Sequence, residues 1–170
     1  ALVDSVIAQQ ISGRAAQTIS DRLHGMVGTF TPQGLMDADP VLIQQCGLSQ
    51  RKVGYIQGIA REVVSGGLDL EALRHASDDE LIRKLSSLNG IGVWTAEMLM
   101  IFSLCRPDVL SWGDLGIRRG MALLYGEREL TRERFERRRK RYSPYGSIVS
   151  LYLWSLAGME EALAVTLPKG

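Results

Sequence analysis

Helix start and stop signals recur at short intervals along these 170 residues, and no stretch alternates apolar and polar side chains between turn signals as a strand does. Thr31-Pro32 and Asp39-Pro40 each place an N-cap residue before a proline, the start of a short helix, and the second of these stops at Gly47. Ser49 caps a longer helix in which Val53, Ile56, Ile59, Ala60 and Val63 form a stripe, closed by Gly66-Gly67. Ser77 to Glu80 has the capping-box pattern and opens a helix through about Ser87. Upstream, Val3–Gln10 and Ala15–Met26 have helical spacing, with Gly13 between them and Gly28 after the second. Further helices are expected near Leu70–Arg74 and over Val93 to about Leu104, Ile117–Tyr125 and Tyr145–Ala157. A basic segment before the last has no defined element. The expected fold class is all-α, a single helical domain over residues 1–170 that can divide into two lobes.

Composition narrows the class. A chain of this length buries enough surface to fold without a disulfide or metal staple. Met98–Cys105, the longest nearly apolar stretch, falls far short of the ~18 residues that cross a bilayer. Cys46 and Cys105 form no CxxC motif and are too few for a zinc or iron–sulfur site. His24 and His75 have no third ligand at metal spacing and read as surface residues. No basic-then-apolar leader is visible, so the expectation is a cytoplasmic or nuclear protein with no membrane partner. A start within a helix and without an initiator Met suggests trimming at the N-terminus.

Charge is unevenly placed. Residues 1–100 carry 8 basic and 11 acidic side chains, residues 101–170 carry 12 and 8, and seven of the ten residues from Arg132 to Arg141 are basic. Such a run is either a solvated helix face or an electrostatic footprint for nucleic acid.

Between two helices lies Leu88-Asn89-Gly90-Ile91-Gly92, a turn of five residues. Its glycines permit positive φ and close backbone approach, and N–H groups at the start of the following helix suit a phosphate oxygen. The same turn also serves as a plain connection between antiparallel helices. Asp114, after Gly113 and before an apolar helix, reads on composition as an N-cap.

Leu88–Ala96, followed about twenty residues after Trp94 by Ser111-Trp112-Gly113-Asp114-Leu115-Gly116-Ile117-Arg118, resembles the helix-hairpin-helix base-excision DNA glycosylases, most of all the DNA-3-methyladenine glycosylase II group. Ile7–Ser12, Leu48–Tyr55 with Arg51-Lys52, and Tyr142–Ser147 before Leu153-Trp154 agree, in the family's order. The resemblance implies a two-lobed helical fold with the hairpin motif at about residues 78–104. It also implies a monofunctional glycosylase that hydrolyses the N-glycosidic bond of alkylated purines in double-stranded DNA, as a monomer.

The resemblance implies roles residue by residue. Asp114 is the catalytic carboxylate, opposite the positive charge that develops on the sugar. Trp94 and Tyr142 line the base pocket, where a cationic alkylated purine gains a cation–π term. Trp94 stands where bifunctional members carry a nucleophilic Lys, and no lysine occurs between Lys84 and Lys140, so lyase chemistry has no candidate there. DNA contacts fall to Gln10, Leu88, Asn89, Gly90, Ile91, Gly92 and Arg118, with Gln10 at the position of a wedge that fills the gap left by a flipped base. No cofactor is required and the iron–sulfur loop is absent; a monovalent cation, Na+ or K+, is implied at the carbonyls of Ser86, Leu88 and Ile91. Asp108 is assigned a structural role. Tyr142 replaces a common Trp, and Gly146 stands where Arg is usual. Two other readings remain: a non-catalytic helix-hairpin-helix DNA-binding module, and a glycosylase of the same fold for a different lesion.

Overall fold

The computed structural model describes residues 1–27 and 30–166, with side chains through residue 159; Gly28, expected to end the second helix, lies outside the described residues. The described residues form α-helices and no strand, in two compact units, Ala1–Leu99 and Met100–Gly170.

The first unit contains α1 (Leu2–Ala8), α2 (Gly13–Val27), α3 (Pro32–Asp37), α4 (Pro40–Gln45), α5 (Gln50–Val64), α6 (Leu70–His75) and α7 (Asp78–Ser86). Helix α8 (Val93–Phe102) starts in it and runs into the second unit. Caps set the boundaries: Thr31 accepts from the Gly34 N–H at 3.1 Å, Asp39 from Val41 at 2.8 Å and Ser49 from Lys52 at 3.3 Å. Ser77 accepts from the Glu80 N–H, while the Glu80 carboxylate lies 3.5 Å from Lys84 one turn on. Helix α5 is the hub, packed by α1, α3 and α4. Its Val53, Ile56, Ile59 and Ala60 are buried, and a buried aliphatic side chain of the larger kind contributes roughly 1.5–3 kcal/mol.

The second unit holds α9 (Leu115–Leu124), α10 (Arg132–Tyr142) and α11 (Gly146–Thr166). Leu110, Ile117, Met121, Phe135 and Leu153 form its core, with Trp112, Tyr142 and Trp154 packed at the margin. Helices α9 and α11 approach closely because position 120 has no side chain: a Cβ there would sit 2.1 Å from the Leu153 carbonyl oxygen. The extended segment before α9 is tied to α11 by serines. The Val109 N–H donates to Ser147 Oγ at 3.0 Å, and Ser150 Oγ donates to the Val109 carbonyl at 2.9 Å.

The last helix, expected over Tyr145–Ala157, runs on to Thr166, and two boundaries near the start and one whole element also differ from expectation. Helix α1 ends at Ala8 instead of reaching Gln10, because Gln9 turns extended and Gln10 takes φ +59°. Gly13 opens α2 instead of separating it from α1. The basic segment, left without an element by its charge, is the helix α10: Thr131 caps it, Glu133–Arg137 pair at 3.1 Å across one turn, and Phe135 is fully buried.

Candidate active site

In the first unit, the turn 88–92 is built from the two helices it joins. The Leu88 N–H donates to the Leu85 carbonyl at 3.1 Å, and the Ile91 N–H to the Leu88 carbonyl at 3.0 Å. Leu88 and Ile91 are buried, so they meet a ligand only through backbone; Asn89 and Gly92 are exposed. The two glycines differ in kind. Gly90 has φ +89°, and a Cβ there would come within 2.3 Å of the Tyr55 ring, so the fold itself demands glycine. At Gly92 a Cβ would meet nothing within 4 Å, so no packing within the chain explains its missing side chain.

The segment after α1 is fastened to this turn. Gln9 Nε2 donates to the Gly90 carbonyl at 2.7 Å. Lys52 Nζ donates to the carbonyls of Ile7 and Gln9, each at 2.7 Å, satisfying groups that the end of α1 leaves open. Burial, with Arg51 nearby, draws the Lys52 ammonium below the usual lysine range. Gln10, exposed and in the left-handed region, projects from this braced segment. Trp94, in the first turn of α8, is 47% exposed and therefore not a core residue of that apolar helix.

In the second unit, Asp114 is buried at 7% exposure and caps α9. Its Oδ1 accepts from the Ile117 N–H and from Trp154 Nε1, both at 2.8 Å, which fixes the plane of the carboxylate. Gly116 makes room for that indole: a Cβ there would lie 2.8 Å from Trp154 Cδ1. Trp154 stands forty residues from Asp114 in a different helix, so no local spacing marked it as the partner. Asp108 accepts from Ser143 Oγ and, at 3.0 Å, from the Gly146 N–H, binding the 106–111 segment to the start of α11. A Cβ at Gly146 would sit 2.7 Å from Asp108 Oδ1, so an Arg there would displace this arrangement.

Tyr142 is half-buried and shares a 2.7 Å hydroxyl–hydroxyl hydrogen bond with Tyr125. Burial, aided by that bond, pushes the Tyr142 phenol up to about 12. The Arg118 guanidinium lies 5.0 Å from the centre of the Trp112 ring, and its buried Nε has no hydrogen-bond partner. Met98, like Trp112, is half-buried. His24 and His75 are exposed, and no group of three His, Cys, Asp or Glu side chains at metal-binding distance occurs among the described residues. Nor is any described helix long and apolar enough to cross a membrane.

A profile described as the HhH-GPD superfamily of base excision DNA repair proteins matches residues 3–144, which include most of α1, the turn and Asp114. The chain is 32% identical over 173 residues to DNA-3-methyladenine glycosylase 1 of Schizosaccharomyces pombe, covering 99% of this chain and 76% of that protein. Its structure is similar to that of a DNA-3-methyladenine glycosidase from Bacillus halodurans, at a TM-score of 0.87 and 40% identity, covering 95% of this chain and 76% of the other. A 3-methyladenine DNA glycosylase of S. pombe in complex with abasic DNA superposes at a TM-score of 0.77 and 35% identity, covering 90% and 77%. A buried, doubly bonded Asp following a glycine turn between helices is thus set in a sequence matched over most of its length, and the chain belongs to the HhH-GPD superfamily of base excision DNA repair proteins.

Proposed function

We propose that this protein is a monofunctional DNA glycosylase that removes alkylated purines of the 3-methyladenine and 7-methylguanine type from duplex DNA, acting as a monomer in the nucleoid or nucleus. The observation that carries the reading is Asp114: a buried carboxylate oriented by Trp154 and by the start of α9. The names of its relatives support the substrate class.

The chemistry follows from the charge that develops. As the bond between the sugar C1′ and the base nitrogen breaks, its electron pair leaves with the base and C1′ becomes cationic. The Asp114 carboxylate stabilises that cation in a site of low water content, where fixed charge acts strongly. It also accepts the proton of the water that attacks C1′, leaving an abasic site. An N-alkylated purine already carries positive charge, so it departs neutral without strong acid assistance. Before departure it stacks on Trp94 and Tyr142, a cation–π term of roughly 0.5–2 kcal/mol that an ordinary base does not gain.

Gln10, Asn89, Gly90, Gly92 and Arg118, with the backbone of Leu88 and Ile91, hold the DNA in this reading. The carbonyls of Ser86, Leu88 and Ile91 are neutral oxygen donors of the kind that suits Na+ or K+; the Leu88 carbonyl also accepts from the Ile91 N–H and would bind an ion through its second lone pair. Such an ion would supply positive charge beside a backbone phosphate.

Incubation with methylated duplex DNA tests the proposal. Expected are free 3-methyladenine or 7-methylguanine and an equal yield of abasic sites, with unbroken strands and no borohydride-trapped adduct. DNA binding without base release would favour the non-catalytic module. A trapped lysine adduct would move the protein to the bifunctional class.

A further inference from the structure

We infer that the arginine-lined hollow on α10 is a phosphate site that grips the DNA backbone; the inference rests on the proposed action on DNA. Tyr125, Glu127, Arg134, Arg137, Arg138 and Arg141 line an open concavity of about 410 Å³. The four arginines fall at i, i+3, i+4 and i+7, so they share one face of the helix. One carboxylate lines the hollow with them. Glu127, 17% exposed, receives two hydrogen bonds from the Arg138 guanidinium and lies 3.4 Å from Arg134. Arg138 is also stacked over the Tyr125 ring at 3.6 Å. The floor is therefore rigid and locally neutralised, while Arg137 and Arg141 stand exposed at the rim.

Like charges one turn apart on a helix repel, and this face repeats that arrangement between Arg134 and Arg138 and between Arg137 and Arg141. Glu127 offsets only part of it. The rim pair Arg137–Glu133 is weak, since Glu133 is 86% exposed and water competes for both partners. An anion with several oxygens relieves the remaining repulsion. Guanidinium forks match phosphate oxygens in pairs, and every cation lining the hollow is an arginine. Placement favours a nucleic-acid phosphate over a free one. Tyr125, the wall on which Arg138 stacks, is hydrogen-bonded to Tyr142, the ring assigned to the base pocket. Phosphate site and base ring are thus parts of one bonded cluster.

The test compares Arg137→Gln/Arg141→Gln with Arg61→Gln/Arg74→Gln, a control that removes the same charge from the first unit. Binding of an undamaged duplex is followed by fluorescence anisotropy between about 50 and 200 mM salt. Loss of two phosphate contacts should lower the slope of log affinity against log salt by about 1.8. Affinity should fall equally for damaged and undamaged duplex, with base release at saturating DNA within about twofold and the unfolding midpoint unchanged. The control should keep the original slope. An unchanged slope in the α10 variant, or an equal loss in the control, overturns the site. Calorimetry with inorganic phosphate separates the sources: arginine-dependent phosphate binding with an unchanged duplex slope assigns the hollow to a free anion and also overturns the inference. Should the unsubstituted protein release no alkylated base, the enzymatic reading fails while the slope comparison still decides this one.

Discussion

In the proposed reaction Asp114 carries two roles on one side chain, and they can be separated. As the cap of α9 it needs only an oxygen acceptor, which Asn supplies equally well; as the group facing a sugar cation it needs charge. Asp114→Asn should therefore fold with its midpoint little changed and bind DNA within a few-fold, yet lose at least ~3 kcal/mol of transition-state stabilisation, as when a catalytic dipole is removed. Single-turnover excision from methylated duplex measures this, and undiminished release by the Asn variant would refute the assignment. Trp154→Phe keeps a ring beside Gly116 but removes the donor to Oδ1, so excision should fall about tenfold with DNA affinity intact. Gln10 is the other residue of consequence. As the wedge that the resemblance implies, Gln10 would hydrogen-bond the orphaned base but gain little by stacking, so Gln10→Ala should slow excision from fully paired duplex more than from mismatched or single-stranded substrate. Equal slowing on both would leave Gln10 a surface residue. The carboxylate and the turn were legible because each sits in a short local motif. Trp154, Lys52 and Gln9 were not recognisable as partners, since their bonds to Asp114, to the end of α1 and to Gly90 span tens of residues and depend on packing.

At the scale of elements, the turn offers a paired test that divides architecture from function. Gly90→Ala places a Cβ in a left-handed backbone, which costs about 1–2 kcal/mol, and adds a collision with Tyr55. Gly92→Ala places one in open space, so stability should hold while DNA affinity falls as the methyl keeps a phosphate from the backbone N–H groups. Thermal melts and anisotropy read the two effects, and a Gly92→Ala protein with full affinity would take the turn out of the DNA-binding set. Helix α10 was the element least legible in the sequence. Its charge masks its period, and what makes it a helix is one buried ring, Phe135, with a Thr131 cap and ion pairs to Glu127 and Glu133. The hydrogen bonds from Arg138, with the charges of Arg138, Arg134 and Arg137, hold the Glu127 carboxyl below the usual glutamate range. A carboxylate so depressed stabilises the fold above its unfolded-state value, about 4.3, and that contribution is lost as pH falls through the lower folded value. The midpoint should thus fall less steeply with acidification in Glu127→Gln than in the unsubstituted protein, with the difference confined to pH values below about 5.

Across the whole molecule, the assigned residues are divided between the compact units. Gln10, the turn and Trp94 belong to Ala1–Leu99, and Asp114, Arg118 and Tyr142 to Met100–Gly170. The units also differ in charge: residues 1–99 hold 8 basic and 11 acidic side chains, and residues 100–170 hold 12 and 8. Long-range attraction to a polyanion is therefore expected from the second unit, while in the proposed reading the first, net acidic, binds through placed N–H groups instead of overall charge. That division was visible in the sequence as a charge asymmetry, but its meaning required α10 to be a helix with one arginine face. If both units meet the same duplex, an abasic-site DNA should protect backbone amides in each. At a free concentration of about 100 times Kd, linkage adds about 2.7 kcal/mol to the native state, so amides that exchange only on global unfolding should slow roughly a hundredfold. Amides that open locally report contact instead of linkage, and those of 89–93 and 114–118 should slow together when the duplex is added. Protection of 89–93 alone would make the carboxylate unit a bystander in binding and remove Asp114 from the site. Protection of 114–118 alone would leave the turn a plain connection between α7 and α8.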